Sequence, residues 1–153
     1  MTIALLILHG LVAIALLGAI THQFIAAVRR SPARGTAFID RYKGVNPRVF
    51  ANAVVVLYLA AFVLGAVIYP SYRLNVRVAF EQMALGAAVG GFELKEHFAG
   101  LGVALLPLYL WLWRPERDDS HGRDRLAITG ILAFIVWFDL LVGHVLNNLR
   151  GLP

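Results

Sequence analysis

The chain contains no cysteine among its 153 residues. Disulfides, thiolate metal centres and cysteine nucleophiles are therefore excluded. Methionine is also scarce, with two residues in all, so a metal or a haem would have to be held mainly by histidine, carboxylate or amide groups. Charge is sparse as well. Only 15% of the residues are charged and 59% are hydrophobic, whereas a soluble domain has about 25% charged residues.

The net charge of +5 does not indicate a nucleic-acid partner. The basic residues are gathered in the segments between the apolar stretches. This distribution is typical of contact with lipid headgroups. We therefore expect the lipid bilayer, and no nucleic acid, to be a partner of this chain.

Four apolar stretches are long enough to cross a hydrocarbon core of about 30 Å. They lie at about residues 2–28, 49–69, 92–113 and 126–149. The third stretch spans only if its helix begins near Gly91 or Phe92. The sequence thus predicts an all-α fold, a single membrane domain over residues 1–153 with four transmembrane helices in an up-down bundle.

Basic residues predict the orientation of these helices. The segments 29–48 and 114–125 carry ten lysines and arginines, against four on the other side. The positive-inside rule places the richer segments in the cytoplasm, so both termini are expected outside the plasma membrane. In the outer loop, residues 74–85 fit a short interfacial amphipathic helix, and Gly90-Gly91 predicts a break before the third span.

Three histidines on different predicted spans lie at one depth below the outer face. His9 is about 9 Å from the outer end of its helix, and His97 and His144 are about 7.5 Å from theirs. Glu93 precedes His97 by four residues, so both project from one helix face. Asp139 lies deeper, near the bilayer centre, where a carboxylate needs a partner or water.

This pattern favours a small membrane redox component with a cofactor near the outer face. Two imidazoles would ligate one haem b. Room for it would be made by the neighbouring glycines Gly10, Gly100, Gly102 and Gly143. Alternatively, His9, His97, His144 and Glu93 would bind a single transition-metal ion. The residues predicted to support the ligands, or to relay protons, are Asp139, Glu96 and Asn148.

Other interpretations remain open at this point. Asp139 and the histidines are also typical of a proton or ion pathway, or of a site for a quinone headgroup. Polar residues also hold membrane helices together without further chemistry. The chain would then be a non-enzymatic subunit or assembly factor of a larger membrane complex or transporter. Small-residue pairs such as Ala61 and Gly65 would favour close packing in that complex or in a homodimer.

Helical phase argues against a second haem at the inner side. His22 follows His9 by 13 residues, which turns it about 140° away around the helix. Gln23 shares the face of His9 instead. We therefore expect His22 to be an interfacial residue, and His121 to be solvated in its polar loop.

Overall fold

The computed structural model describes residues 2–28, 47–114 and 121–150. Every regular element in these ranges is helical, which confirms the predicted all-helical class. The elements are α1 (Thr2–Val28), α2 (Pro47–Ser71), a π-helical segment (Tyr72–Val76), α3 (Arg77–Gln82), α4 (Gly86–Leu112) and α5 (Gly122–Arg150). Most of the two basic segments, at 29–46 and 115–120, lies outside the described residues.

Three of the described helical stretches are long and apolar enough to cross a membrane. They are Ile3–Val28, Phe50–Gln82 and Gly122–Leu149. Helix α4 is not among them, because Glu93, Lys95 and Glu96 lie in its first half. The chain therefore has the helices of a multi-pass membrane protein.

The short helix predicted over residues 74–85 of the outer loop has different boundaries in the structure, where α3 covers Arg77–Gln82. The chain does not leave the helix after α2, because the π-helical segment connects α2 directly to α3. The reversal follows α3, in a turn where Ala84 adopts a φ of 56°. Helix α4 then begins at Gly86 and runs on without interruption.

The predicted break at Gly90-Gly91 is wrong. Both glycines are helical, and neither adopts a positive φ. Because the turn at Ala84 has already reversed the chain, these glycines only weaken the helix propensity locally. The third long helix therefore begins about five residues earlier than the sequence predicted.

Helices α1 and α2 pack antiparallel. His9, near the start of α1, lies against Gly65 in the second half of α2. Towards the other end of α1, His22 stacks on Phe50 at the start of α2, with ring centroids 4.2 Å apart. We name the two ends of the packed helices after α1, as the Thr2 end and the Val28 end.

Helices α4 and α5 also pack antiparallel along most of their length. Lys95 meets Gly143 at the Thr2 end. At the Val28 end, Trp113 Nε1 donates a hydrogen bond of 3.2 Å to Thr129 Oγ1. A second interface, between α1 and α5, includes α5 residue Trp137. Its Nε1 donates to the Thr21 hydroxyl at 3.1 Å.

Between the two ends lies a core of buried aliphatic side chains. We call its large aliphatic members the central apolar layer: Leu16, Ile20, Val54, Leu106, Leu132, Ile135 and Val136. Tyr58 and Tyr109 belong to the same core. A smaller core at the Thr2 end packs α3 onto α4 and α5 through Phe80, Ala88 and Leu146. The fold thus separates the polar groups of one end from those of the other.

Candidate functional site

Two of the three histidines lie on the surface of the packed helices. His97 is exposed, and its Nδ1–H donates to the carbonyl oxygen of Glu93 in its own helix at 2.7 Å. His144 is also exposed, and its Nε2 accepts a 3.1 Å hydrogen bond from Asn148 Nδ2. Each imidazole is thus bonded within its own helix.

The predicted ligands are not brought together as a metal site. Over residues 2–28, 47–114 and 121–150, no group of three histidines or carboxylates is arranged to hold a metal ion. Glu93 is exposed, like His97 and His144, and it pairs with Arg77 at 3.1 Å. Arg77 also contacts Glu81 at 2.8 Å. Such surface ion pairs contribute little to stability.

His9 differs from the other two histidines because it points between helices. Its Cε1 would lie 3.5 Å from a Cβ placed on Gly65 of α2, and its ring bonds to the backbone of Ala61. The small residues Ala61 and Gly65 thus form a notch that accepts an imidazole. His9 Nδ1 is buried and has no hydrogen-bond partner in the described part of the chain.

Lys95 reaches into the same interior from α4. Its Cε would lie 3.5 Å from a Cβ on Gly143 of α5. Its ammonium interacts electrostatically with both His9 and Asp139. Gly143 follows Asp139 by one helical turn, so both lie on the face of α5 that Lys95 meets. A lysine is therefore the charged neighbour of the deep carboxylate.

Asp139 is only partly exposed, and its Oδ1 is buried with no hydrogen-bond partner among the described residues. Tyr58 of α2 interacts electrostatically with it. The Tyr58 hydroxyl donates to the carbonyl oxygen of Ala99 at 3.1 Å, crossing directly over Gly102 of α4. Oδ1 of Asp139 can therefore bind a proton or accept a hydrogen bond.

We call His9, Tyr58, Lys95 and Asp139 the interior polar cluster. Each residue comes from a different long helix. Three of them pack on a glycine of a neighbouring helix, namely His9 on Gly65, Tyr58 on Gly102 and Lys95 on Gly143. The glycine notches let polar side chains enter a region that is otherwise closely packed.

The glycines expected to make room for a haem are used differently. Gly102 and Gly143 are covered by Tyr58 and Lys95. Gly10 and Gly100 have no side chain of another helix nearby. In the described structure, these four glycines therefore do not line one common space.

His22 is buried between helices, and its expected depth at the membrane interface stays a prediction. It is 3% exposed, and Gln23 beside it is fully buried. Both histidines of α1 contact α2, because His9 meets Gly65 and the ring of His22 stacks on Phe50. The Val28 end thus has a second set of buried polar groups, which also includes Thr129.

Sequence reasoning missed Lys95 and Tyr58 as members of the site. One signal for Lys95 was available. Counting from Lys95 in alternating steps of four and three residues reaches Ala99, Gly102, Leu106 and Tyr109, and the last three are buried. His97 is two residues from Lys95, about 200° around the helix, and so faces away from this stripe.

Comparison with protein-family models, curated proteins and solved structures finds no match for this chain. The interior polar cluster combines a carboxylate, an ammonium group, an imidazole and a phenol. A carboxylate with an open oxygen and an imidazole with an open nitrogen can each take up or release a proton.

The contact of Tyr58 with Gly102 predicts a position-specific effect of added volume. A methyl group in Gly102→Ala would overlap the Tyr58 hydroxyl, and we expect a loss of about 1–3 kcal/mol in unfolding free energy. Gly100→Ala is the matched control, because its Cβ meets open space. Thermal unfolding of both variants in detergent measures the difference. Equal midpoints for the two would contradict this placement of Tyr58.

Proposed function

We propose that the protein crosses the plasma membrane four times, with both termini outside, and that its interior polar cluster handles protons. The distribution of basic residues supports the orientation. The pairing of α4 with α5 supports the fourth span. Their contacts run from Lys95 with Gly143 to Trp113 with Thr129, and the 18 residues between Lys95 and Trp113 cover about 27 Å.

The charges of α4 do not prevent it from spanning. Glu93 is exposed near the Thr2 end and is paired with Arg77, a position that suits the membrane interface. Lys95 lies deeper, but it has the electrostatic partner Asp139. Glu96, the third charged residue of α4, is partly exposed and lies within electrostatic reach of Lys95 and Arg73. A helix whose charges lie near the interface or beside an opposite charge can pack against an apolar helix across the bilayer.

The position of Asp139 is the observation that carries the proton-handling proposal. Ionisable groups inside membranes are costly, and they mark ion or proton pathways. Asp139 combines a buried unpartnered oxygen with a nearby ammonium from Lys95. When Asp139 is ionised, Lys95 stabilises its negative charge. When it is protonated, the open oxygen carries the proton.

The central apolar layer favours controlled proton uptake over an open pore. Leu132 and Val136 lie on α5 between Asp139 and the Val28 end. Leu16 and Ile20 lie on α1 between His9 and the Val28 end. Protons would therefore reach the cluster from the Thr2 end, and passage further would need a conformational change.

Single cysteines test the four-span topology, because the natural chain has none. With four spans, exposed positions Gln82 and Arg123 lie on opposite sides of the membrane. We expect a membrane-impermeant maleimide to label Gln82→Cys on intact cells, and Arg123→Cys only after lysis. Labelling of both variants on the same side would show that α4 does not span.

Replacing the deep carboxylate tests the proton-handling proposal. Asp139→Asn keeps the size of the side chain and removes its titratable proton, so we expect proton movement to fall to the level of empty vesicles. A pH-sensitive dye inside proteoliposomes measures it. Asp124→Asn is the control, because Asp124 is exposed in the first turn of α5. Unchanged proton movement in Asp139→Asn would overturn the proposal.

A haem b or metal ion near the outer face stays a prediction of the sequence. A bound haem would give the purified protein a Soret band, and a bound metal would be present in stoichiometric amount. Replacing a ligating histidine by glutamine should remove whichever signal is present. Optical spectroscopy with elemental analysis measures these two properties. A colourless, metal-free protein that still moves protons would leave the interior polar cluster as the functional site.

A further inference from the structure

Lys95 acts electrostatically on Glu96, which follows it on α4, and it has two further neighbours. Its Cε packs at Gly143, one helical turn from Asp139 on the same face of α5. Its Nζ lies 5.3 Å from the centroid of the Phe92 ring, on the side of the Thr2 end. A cation over an aromatic face is attracted to it. The ammonium thus lies between an aromatic face and a carboxylate.

No direct ion pair occupies Asp139 in the part of the chain that the structure describes. The described ion pairs of Arg77 are with Glu81 and Glu93 instead. Lys95 is the charged group that acts on Asp139 across the intervening space. Among the described residues, the cation that acts on this carboxylate is thus a side chain of the protein itself.

We propose that Lys95 is the tethered counter-cation of Asp139 and that it excludes alkali cations from the cluster. This inference rests on the proposed function and specifies its ion. With Asp139 ionised, the Lys95–Asp139 pair has no net charge. Na⁺ would have to lose its hydration shell to enter the site. Since the pair offers no net negative charge, electrostatic attraction does not offset the free energy of that dehydration. A proton needs only the open Asp139 oxygen.

Removing the ammonium should convert the cluster into a cation site. Lys95→Met keeps an unbranched stem to pack on Gly143 and removes the charge. Asp139 would then be an uncompensated carboxylate, with the Tyr58 hydroxyl within electrostatic reach. Carboxylate and hydroxyl oxygens are the ligand type that hard cations prefer. Na⁺ could then take the place of the ammonium.

The experiment is a calorimetric titration of the purified full-length protein with NaCl in detergent, at constant ionic strength kept with choline chloride. We expect Na⁺ to bind Lys95→Met on the order of tenfold or more tightly than the natural protein, a difference that titration resolves. Adding Asp139→Asn to Lys95→Met should abolish that binding. Lys95→Arg, which keeps the charge, should resemble the natural protein. Arg73→Gln removes an exposed cation elsewhere and should also resemble it.

Circular dichroism and the thermal midpoint establish that each variant is folded, and Lys95→Gln replaces Lys95→Met if the latter is not. Equal Na⁺ affinity in the natural protein and a folded uncharged variant would overturn the proposal. So would binding that survives Asp139→Asn. Because the titration does not depend on proton movement, failure of the dye assay and failure of this inference are separate results.

Discussion

The electrostatic interaction between Lys95 and Asp139 constrains how the long helices pack. A charge in a partly buried position is costly, and opposite charges within reach of each other offset part of that cost. The interaction requires α4 to turn Lys95 inward and α5 to turn Asp139 inward. Since a helix is rigid, these two choices fix the rotation of every other residue on α4 and α5.

The exposed histidines follow from that rotation. His144 is five residues after Asp139, which places it about 140° around α5 from the carboxylate. On α4, His97 lies nearly opposite Lys95. The same phase argument that separates His22 from His9 therefore separates His144 from Asp139. Equal depth stays a prediction for the three histidines, and depth alone does not bring side chains on different helices together.

Hydropathy was enough to predict the long helices, but not which face of each helix points into the protein. The first helix occupies Thr2–Val28, where the apolar run lies. Apolar residues surround the spans on all sides, so their pattern shows only weakly which face is internal. For α4 the better guide is the stripe of small and aromatic residues that begins at Lys95. For His22 the deciding contact, Phe50, comes from another helix, and the sequence of α1 alone could not reveal it.

The glycines between the helices accept polar side chains, whereas their positions in the sequence suggested space for a cofactor or close helix packing. Beside a histidine, a glycine looks like space for a cofactor or for close helix packing. In the structure, Gly65, Gly102 and Gly143 each accept a polar side chain from a neighbouring helix. A notch of this kind lets a charged or hydrogen-bonding group enter the interior without opening a cavity.

The interior is polar at the Thr2 end and aliphatic in its central layer, and this difference bears on the proposed proton chemistry. The polar groups of the Thr2 end comprise a carboxylate, an imidazole and an ammonium group, whereas the side chains of the central apolar layer are aliphatic and cannot pass a proton on. The Tyr109 hydroxyl in the same core is buried with no hydrogen-bond partner among the described residues. Water next to Asp139 would make it an ordinary surface carboxylate, and complete burial without Lys95 would keep it neutral. Partial burial beside a tethered ammonium lies between these limits, which is the environment in which a carboxylate can change its protonation state reversibly.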